Sequence, residues 1–142
     1  MNKKAENFQA YLKKKEIDSF VFDEPEGNDR EIAIFRSHIV VEGQQLPTIV
    51  MFDNTIFSII RVQISPQAVT DENAEEVLSF LNEENAKYKP FKIYCAPDGS
   101  IIFDICFTNP GEEIDGDLIY TFFNIAINYL NENYRTIMKK IW

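Results

Sequence analysis

The chain has little of what chemistry requires. Its 142 residues include one histidine, two cysteines and five glycines. No group of His, Cys and carboxylates has metal-ligand spacing, no nucleophile stands in a motif with its base, and no glycine-rich loop of the phosphate-cradling kind occurs. An enzyme is therefore not expected, and neither a cofactor nor a metal is implied. His38 lies in an extended segment with Arg36 two residues away. General acid–base work would require a partner within hydrogen-bond reach, and none is spaced to supply it. Cys95 and Cys106 have no ligand spacing and follow no signal peptide. That fits a reducing compartment, in which each packs as a small apolar side chain.

Long apolar runs are missing too. The N-terminal stretch is charged with no apolar segment after it, and no run elsewhere approaches the length of a membrane helix, so neither secretion nor membrane insertion is expected and the cytoplasm is the default. A basic stripe is also absent. Formal net charge is −9, and the lysines and arginines gather only at the two ends, at Lys3, Lys4 and Lys13 to Lys15, and at Arg135, Lys139 and Lys140. Nucleic-acid binding gains affinity by displacing counterions with such a stripe, so it is not expected. Acids cluster instead at Asp23, Glu24, Glu26, Asp29 and Glu31, from Asp71 to Glu84, and from Glu112 to Asp117. The last group crowds oxygen ligands but does not have the spacing of an EF-hand loop; carboxylates just before a helix serve its dipole and cap.

What is present is a core. The composition is 45% hydrophobic and 13% aromatic, with twelve Phe, well above that of disordered chains and enough for one domain over residues 1–142. Ala5, Phe8 and Leu12 recur at helical spacing within 3–16. Short strands are expected at Ser19–Asp23, Glu31–Val41, Leu46–Phe52 and Thr55–Ile64, with an acidic loop at 24–29 and with Gly43 to Gln45 closing the second strand. A second helix begins near Thr70, a plausible N-cap, and buries Ala74, Val77, Leu78 and Leu81. A last helix runs from about Asp117 to Lys140 with Asp115 as its cap. The apolar surface of this helix, from Leu118 to Ile141, is wider than one sheet face requires, so either the N-terminal helix or a second copy of the chain covers the remainder.

Register follows from the turns. Pro97-Asp98-Gly99 suits a type I turn whose Gly takes positive φ and forms a bulge. This sets Cys95 opposite Ile101, Ile93 opposite Phe103 and Phe91 opposite Ile105, and leaves Lys92, Tyr94, Ile102, Asp104 and Cys106 on the other face. The cysteines then cannot bridge. In the meander, a two-residue turn at Asp53-Asn54 would put Ile49, Met51, Ile56, Ile60, Val62 and Ile64 on the core face. Thr48, Val50, Phe52, Phe57, Ile59 and Arg61 would share the other. That second face continues into Tyr94 and Ile102, and its mixture of aromatic, aliphatic and polar groups is what the centre of a protein–protein contact requires. The candidate binding residues are therefore Val50, Phe52, Phe57, Ile59, Arg61, Tyr94 and Ile102.

The order helix, antiparallel meander, helix, hairpin, long helix resembles the type III secretion chaperone-like fold, and within it the YbjN-like group. The residues that carry the likeness are Val77 to Asn82 with Asn85, Phe91 to Tyr94, Gly99 to Asp104, and the apolar helix from Ile119 to Leu130. The resemblance implies an α+β protein of the bacterial cytoplasm, often a homodimer, that holds a protein partner or client rather than catalysing a reaction. The expected function is thus a chaperone-like or regulatory protein-binding module. The alternative is an acidic immunity or inhibitor protein that neutralises a basic toxin by charge complementarity.

Overall fold

The computed structural model describes residues 2–25 and 29–142; Glu26, Gly27 and Asn28 of the expected acidic loop lie outside the described residues. The elements run α1 (Lys3–Lys14), β1 (Val21–Asp23), β2 (Ala33–Val41), β3 (Gln44–Phe52), β4 (Phe57–Ser65), α2 (Ala74–Lys87), β5 (Lys92–Cys95), β6 (Ile101–Thr108) and α3 (Gly116–Ile141). All neighbouring strands pair antiparallel, in one six-stranded sheet of order β1-β2-β3-β4-β6-β5. The class is α+β.

Local chemistry accounts for most boundaries. Asn2 caps α1, its Oδ1 accepting from the backbone N–H of Lys4 at 2.8 Å and of Ala5 at 3.2 Å, which satisfies donors that a helix start leaves open. Ala5, Phe8 and Leu12 are buried as their spacing requires. Glu42 and Gly43 alone join β2 to β3, both at positive φ (50° and 77°), the two-residue loop whose twist matches a hairpin. In consequence β3 begins at Gln44, two residues earlier than its apolar run. The second hairpin has the expected bulged turn. Gly99 sits at φ +87°, its N–H donates to Ala96 O at 2.9 Å, and Cys95 pairs with Ile101 and Ile93 with Phe103. A side chain at Gly99 would also meet Val69 O at 2.9 Å, because Ala68 and Val69 both donate to the Gly99 carbonyl.

The β3–β4 register departs from expectation. A turn of only Asp53 and Asn54 would set Met51 opposite Ile56, whereas its partner is Ile59 and that of Val50 is Ile60. Residues 53–56 form a longer loop. Asp53 Oδ1 accepts from Thr55 N–H at 2.9 Å, Thr55 Oγ1 accepts from Phe57 N–H at 3.1 Å, and Asn54 N–H donates to Arg30 O at 2.8 Å. The odd shift moves every side chain of β3 to the opposite face relative to β4. Thr48, Val50 and Phe52 therefore join Ser58, Ile60, Val62 and Ile64 in the core, while Ile49 and Met51 turn to the other side and Ile56 lies exposed in the loop.

The second helix also differs. Asn73 Oδ1 accepts from Thr70 N–H at 2.7 Å, and its Nδ2 donates to Ala68 O and to Ile141 O at 2.9 and 3.0 Å. Thr70 thus belongs to a preceding turn, and α2 starts at Ala74 with no side-chain cap. Its buried stripe is Val77, Leu81 and Glu84, and Leu78 is 45% exposed. Only a narrow face of α2 is covered because the helix lies at the sheet's β5 edge rather than across its middle.

The core is one aromatic-rich layer between sheet and helices. Phe8 of α1 packs against Phe35 and Phe52 with ring centroids 4.9 and 5.6 Å apart. From α3, Phe122 meets Phe107 at 5.4 Å and Tyr129 meets Phe103 at 5.9 Å. Each fully buried side chain of this size contributes roughly 1.5–3 kcal/mol. Part of the breadth of α3 is covered by other elements of the chain, while Leu118 stays 46% exposed. Tyr11 of α1 packs on Tyr120 and donates to Asp117 at 2.8 Å, Phe20 packs on Phe123, and Tyr129 donates to the buried Glu84 of α2 at 2.7 Å. Asp115 caps the helix as expected, accepting from Leu118 N–H at 3.0 Å.

Candidate functional site

Since all the described helices pack on one side of the sheet or at its β5 edge, the other side is open. Pairing defines its rows. One runs Arg36, Ile49, Arg61, Asp104, Lys92 from β2 to β5, and the next runs Ile34, Met51, Ile59, Cys106. Phe57 extends this apolar row at the end of β4 and is 52% exposed. On the far side stand His38, Pro47, Gln63, Ile102 and Tyr94.

The polar row is organised around a buried carboxylate. Asp104 is 2% exposed although it belongs to the open face. Arg61 grips it in bidentate fashion, Nε to Oδ1 at 2.8 Å and an Nη to Oδ2 at 2.9 Å, and Tyr94 OH donates to Oδ2 at 2.9 Å. Such forked contacts satisfy a desolvated carboxylate that would otherwise be costly. The Asp104 hydrogen bond holds the Arg61 guanidinium even above its usual range, and burial together with Asp104 raises the Tyr94 phenol. Lys92 lies over the Tyr94 ring at 5.3 Å. Every acceptor of Asp104 faces a donor, so this cluster is an anchor for the middle of the face and has no group poised for proton transfer.

The seven expected binding residues divide. Phe57, Ile59, Arg61, Tyr94 and Ile102 lie together on the open face, Ile102 being 9% exposed beside the anchor. Val50 and Phe52 do not; both are fully buried in the core, Phe52 against Phe8 of α1, for the register reason given above. Ile34, Ile49, Met51 and Cys106 belong to the face in their place. The alternation of Ile49 with Met51 signals a half-apolar face, but the same stretch alternates equally well as Thr48, Val50, Phe52, so pattern alone does not choose. His38 is exposed on this face opposite Pro47. Cys95 and Cys106 are both free thiols on opposite faces.

Two other surfaces carry functional groups. A polar cleft of about 420 Å³ at the start of α1 is lined by Asn2, Lys4, Glu31, Asp53, Asn109 and Glu112, among others. Lys4 is spent within it, its ammonium donating to Thr55 O and its pKa lowered by burial against the pull of Asp53. The outer side of α2 presents Glu72, Glu75, Glu76 and Glu83 around Phe80 and Lys140. Among the described residues, no group of three or more His, Cys, Asp and Glu is placed to hold a metal ion, and no helix is long and apolar enough to cross a membrane.

The protein is therefore of the α+β class, a helix-backed antiparallel sheet with one face on which no described helix lies. No protein-family model matches the chain, and no curated protein matches its sequence.

Proposed function

We propose that this is a protein-binding module, chaperone-like or regulatory, of the kind that the YbjN-like resemblance implies. The observation that supports this reading is the open sheet face, where Ile34, Ile49, Met51, Phe57 and Ile59 lie beside a rigid Arg61–Asp104–Tyr94 anchor. A folded sheet uses one apolar face for its core, and this one carries a second on which no described helix lies. An apolar centre on a pre-formed, hydrogen-bonded surface binds a protein without paying for its own ordering. The test is affinity capture with the tagged chain and two variants, Phe57→Asp on the open face and Leu78→Asp on α2. Proteins bound through the open face, an untagged copy of the chain included, are recovered by the wild type and by Leu78→Asp and lost with Phe57→Asp. Identical recovery by all three removes the reading.

The exposed acids of α2 favour a second reading, an inhibitor or immunity protein for a basic toxin. Charge-steered association of that type weakens steeply with salt, and its target would be lost when Glu75 and Glu76 are both replaced by Lys and kept by Phe57→Asp.

A further inference from the structure

We propose that the open face takes an acidic, extended segment of a partner protein, laid across the strands with its carboxylates on the row Arg36, Arg61, Lys92 and its apolar side chains on the neighbouring row. This rests on the protein-binding reading and names the chemistry of the partner. The first argument is charge. The chain carries a net charge of −9, so most of its surface repels an acidic partner. On the strands of the open face the balance is reversed, with Arg36, Arg61 and Lys92 against Asp23 and Asp104. What a partner meets is more basic still. Asp104 is 2% exposed and lies under the Arg61 fork, whereas the Arg61 side chain is 36% exposed. Arg36 and Asp23 stand 3.5 Å apart with both side chains in water, which screens the pair. Lys92 has no carboxylate within ion-pair distance among the described residues, its ammonium resting over the Tyr94 ring. Opposite potentials steer and orient a partner, and here they select carboxylates.

Spacing points the same way. The three cations occupy β2, β4 and β5, and a single strand, β3 or β6, separates each from the next. Two strand spacings put them roughly 10 Å apart. The row Ile34, Met51, Ile59, Cys106 runs parallel to theirs, two residues or about 7 Å along the strands, and Phe57 extends it. A segment in the polyproline II conformation returns to the same edge at every third residue, about 9.3 Å on. Acids at every third position therefore reach successive cations, and the residues beside them reach the apolar row. An α-helix laid the same way fits less well, because strand directions turn by roughly 20–25° from one strand to the next. A straight rod about 10 Å across touches the middle of such a surface and lifts at its ends. A slim segment with no internal hydrogen bonds follows the twist.

The experiment titrates the isotope-labelled full chain, followed by NMR, with a synthetic peptide of Glu-Leu-Pro repeats and with Lys-Leu-Pro and Glu-Ser-Pro peptides of the same length. The expected result is a saturable shift of the Arg36, Ile59, Arg61 and Lys92 amides with Glu-Leu-Pro alone at low concentration. Loss of the apolar edge in Glu-Ser-Pro weakens binding about fivefold or more, and Lys-Leu-Pro leaves these amides unmoved. Lys92→Glu raises the dissociation constant about tenfold, and added salt raises it as well. Lys139→Glu, on the exposed side of α3, changes it little. No saturable shift on the face overturns the proposal, as does equal binding of Lys-Leu-Pro or an equal loss with Lys92→Glu and Lys139→Glu, which would leave only diffuse charge. Sedimentation with phosphatidylserine vesicles in place of peptide binding gives the face to a membrane and overturns it too. So does a doubled mass that Phe57→Asp abolishes while the peptide fails to bind, which gives the face to a second copy. If the peptide fails yet Phe57→Asp still loses captured proteins, the partner is not acidic and the protein-binding reading stands; if nothing is lost, both fall.

Discussion

The side chain of Asn85 holds the peptide groups of Ile93 by both ends, accepting from its N–H at 2.7 Å and donating to its carbonyl at 2.8 Å. Ile93 is in β5, the outermost strand, so an amide from a helix takes the place of the missing neighbouring strand. The contact satisfies two backbone groups that burial against α2 would otherwise leave unpaired.

Asn85→Ala is expected to destabilise the domain by about 2–4 kcal/mol, the cost of leaving both groups without partners. Asn85→Asp, although the same shape, should cost at least as much, because it sets a carboxylate oxygen against the Ile93 carbonyl. Urea denaturation gives the stabilities. Hydrogen exchange at Ile93 should accelerate in both variants by a larger factor than exchange at Ile60 in the sheet centre. An Asp variant as stable as the wild type would mean that the amide is not what fastens the edge.

Phe57 and Phe103 distinguish the two sides of the sheet. Phe103 is fully buried between Phe91 and Tyr129, and Phe57 is 52% exposed. Phe103→Asp places an unpaired carboxylate in the core and should exceed about 4 kcal/mol, enough to unfold a domain of ordinary stability. Phe57→Asp should change stability by less than about 1 kcal/mol. Thermal melts at a concentration low enough to keep chains apart decide between them. Equal losses would mean that both faces are core.

How far the fold could be read from the residues depended on how local the deciding contact is. The β5–β6 register was legible because Gly99 and its turn lie within the hairpin. Asp115 was legible as a cap for the same reason. The β3–β4 register was not, since Leu46 to Phe52 is apolar at both parities and the loop length is settled partly by Arg30, far back in the chain. Distance also hid the start of α2, where Asn73 is drawn away to the Ile141 carbonyl. Glu84 read only as the last of the acids that run from Asp71, but its partner Tyr129 is on α3. Of the open face, the β4, β5 and β6 contributions were legible, and the β3 contribution came out inverted with the register.

Alkaline pH should loosen the helical layer. The Tyr11 phenol is pushed up to about 12, by burial first and then by its bond to Asp117, and that of Tyr129 is raised by burial and by Glu84. A raised phenol pKa means that the folded chain keeps a proton that the unfolded chain gives up. The stability it contributes is whole below the ordinary phenol value of 10.0 and drains away as pH climbs from there towards 12. Urea midpoints taken up the pH scale should therefore fall beyond the ordinary phenol range, and phenolate absorbance should show late-titrating tyrosines. Tyr129→Phe should lessen that fall while lowering neutral stability by about 1–3 kcal/mol, because Glu84 loses its buried donor. An unchanged alkaline slope in this variant would assign the loss to other groups.

Gly116 and Tyr11 present a case where two ordinary rules oppose each other. Gly116 opens α3, and replacing a helical Gly by Ala gains up to about 1 kcal/mol in propensity. A Cβ there would nevertheless run into Cδ2 of the Tyr11 ring. The ring is not free to swing, being stacked on Phe8, packed on Tyr120 and tied through its hydroxyl to Asp117. Forcing a methyl into a packed contact costs about 1–3 kcal/mol, so the clash outweighs the propensity and Gly116→Ala should destabilise. In a Tyr11→Ala background the obstacle is gone, and the same substitution should become neutral or stabilising. A double-mutant cycle measured by urea denaturation reads the coupling directly. If Gly116→Ala has the same effect in both backgrounds, Tyr11 does not sit against the start of α3, and the seating of α1 on that helix would have to be redrawn.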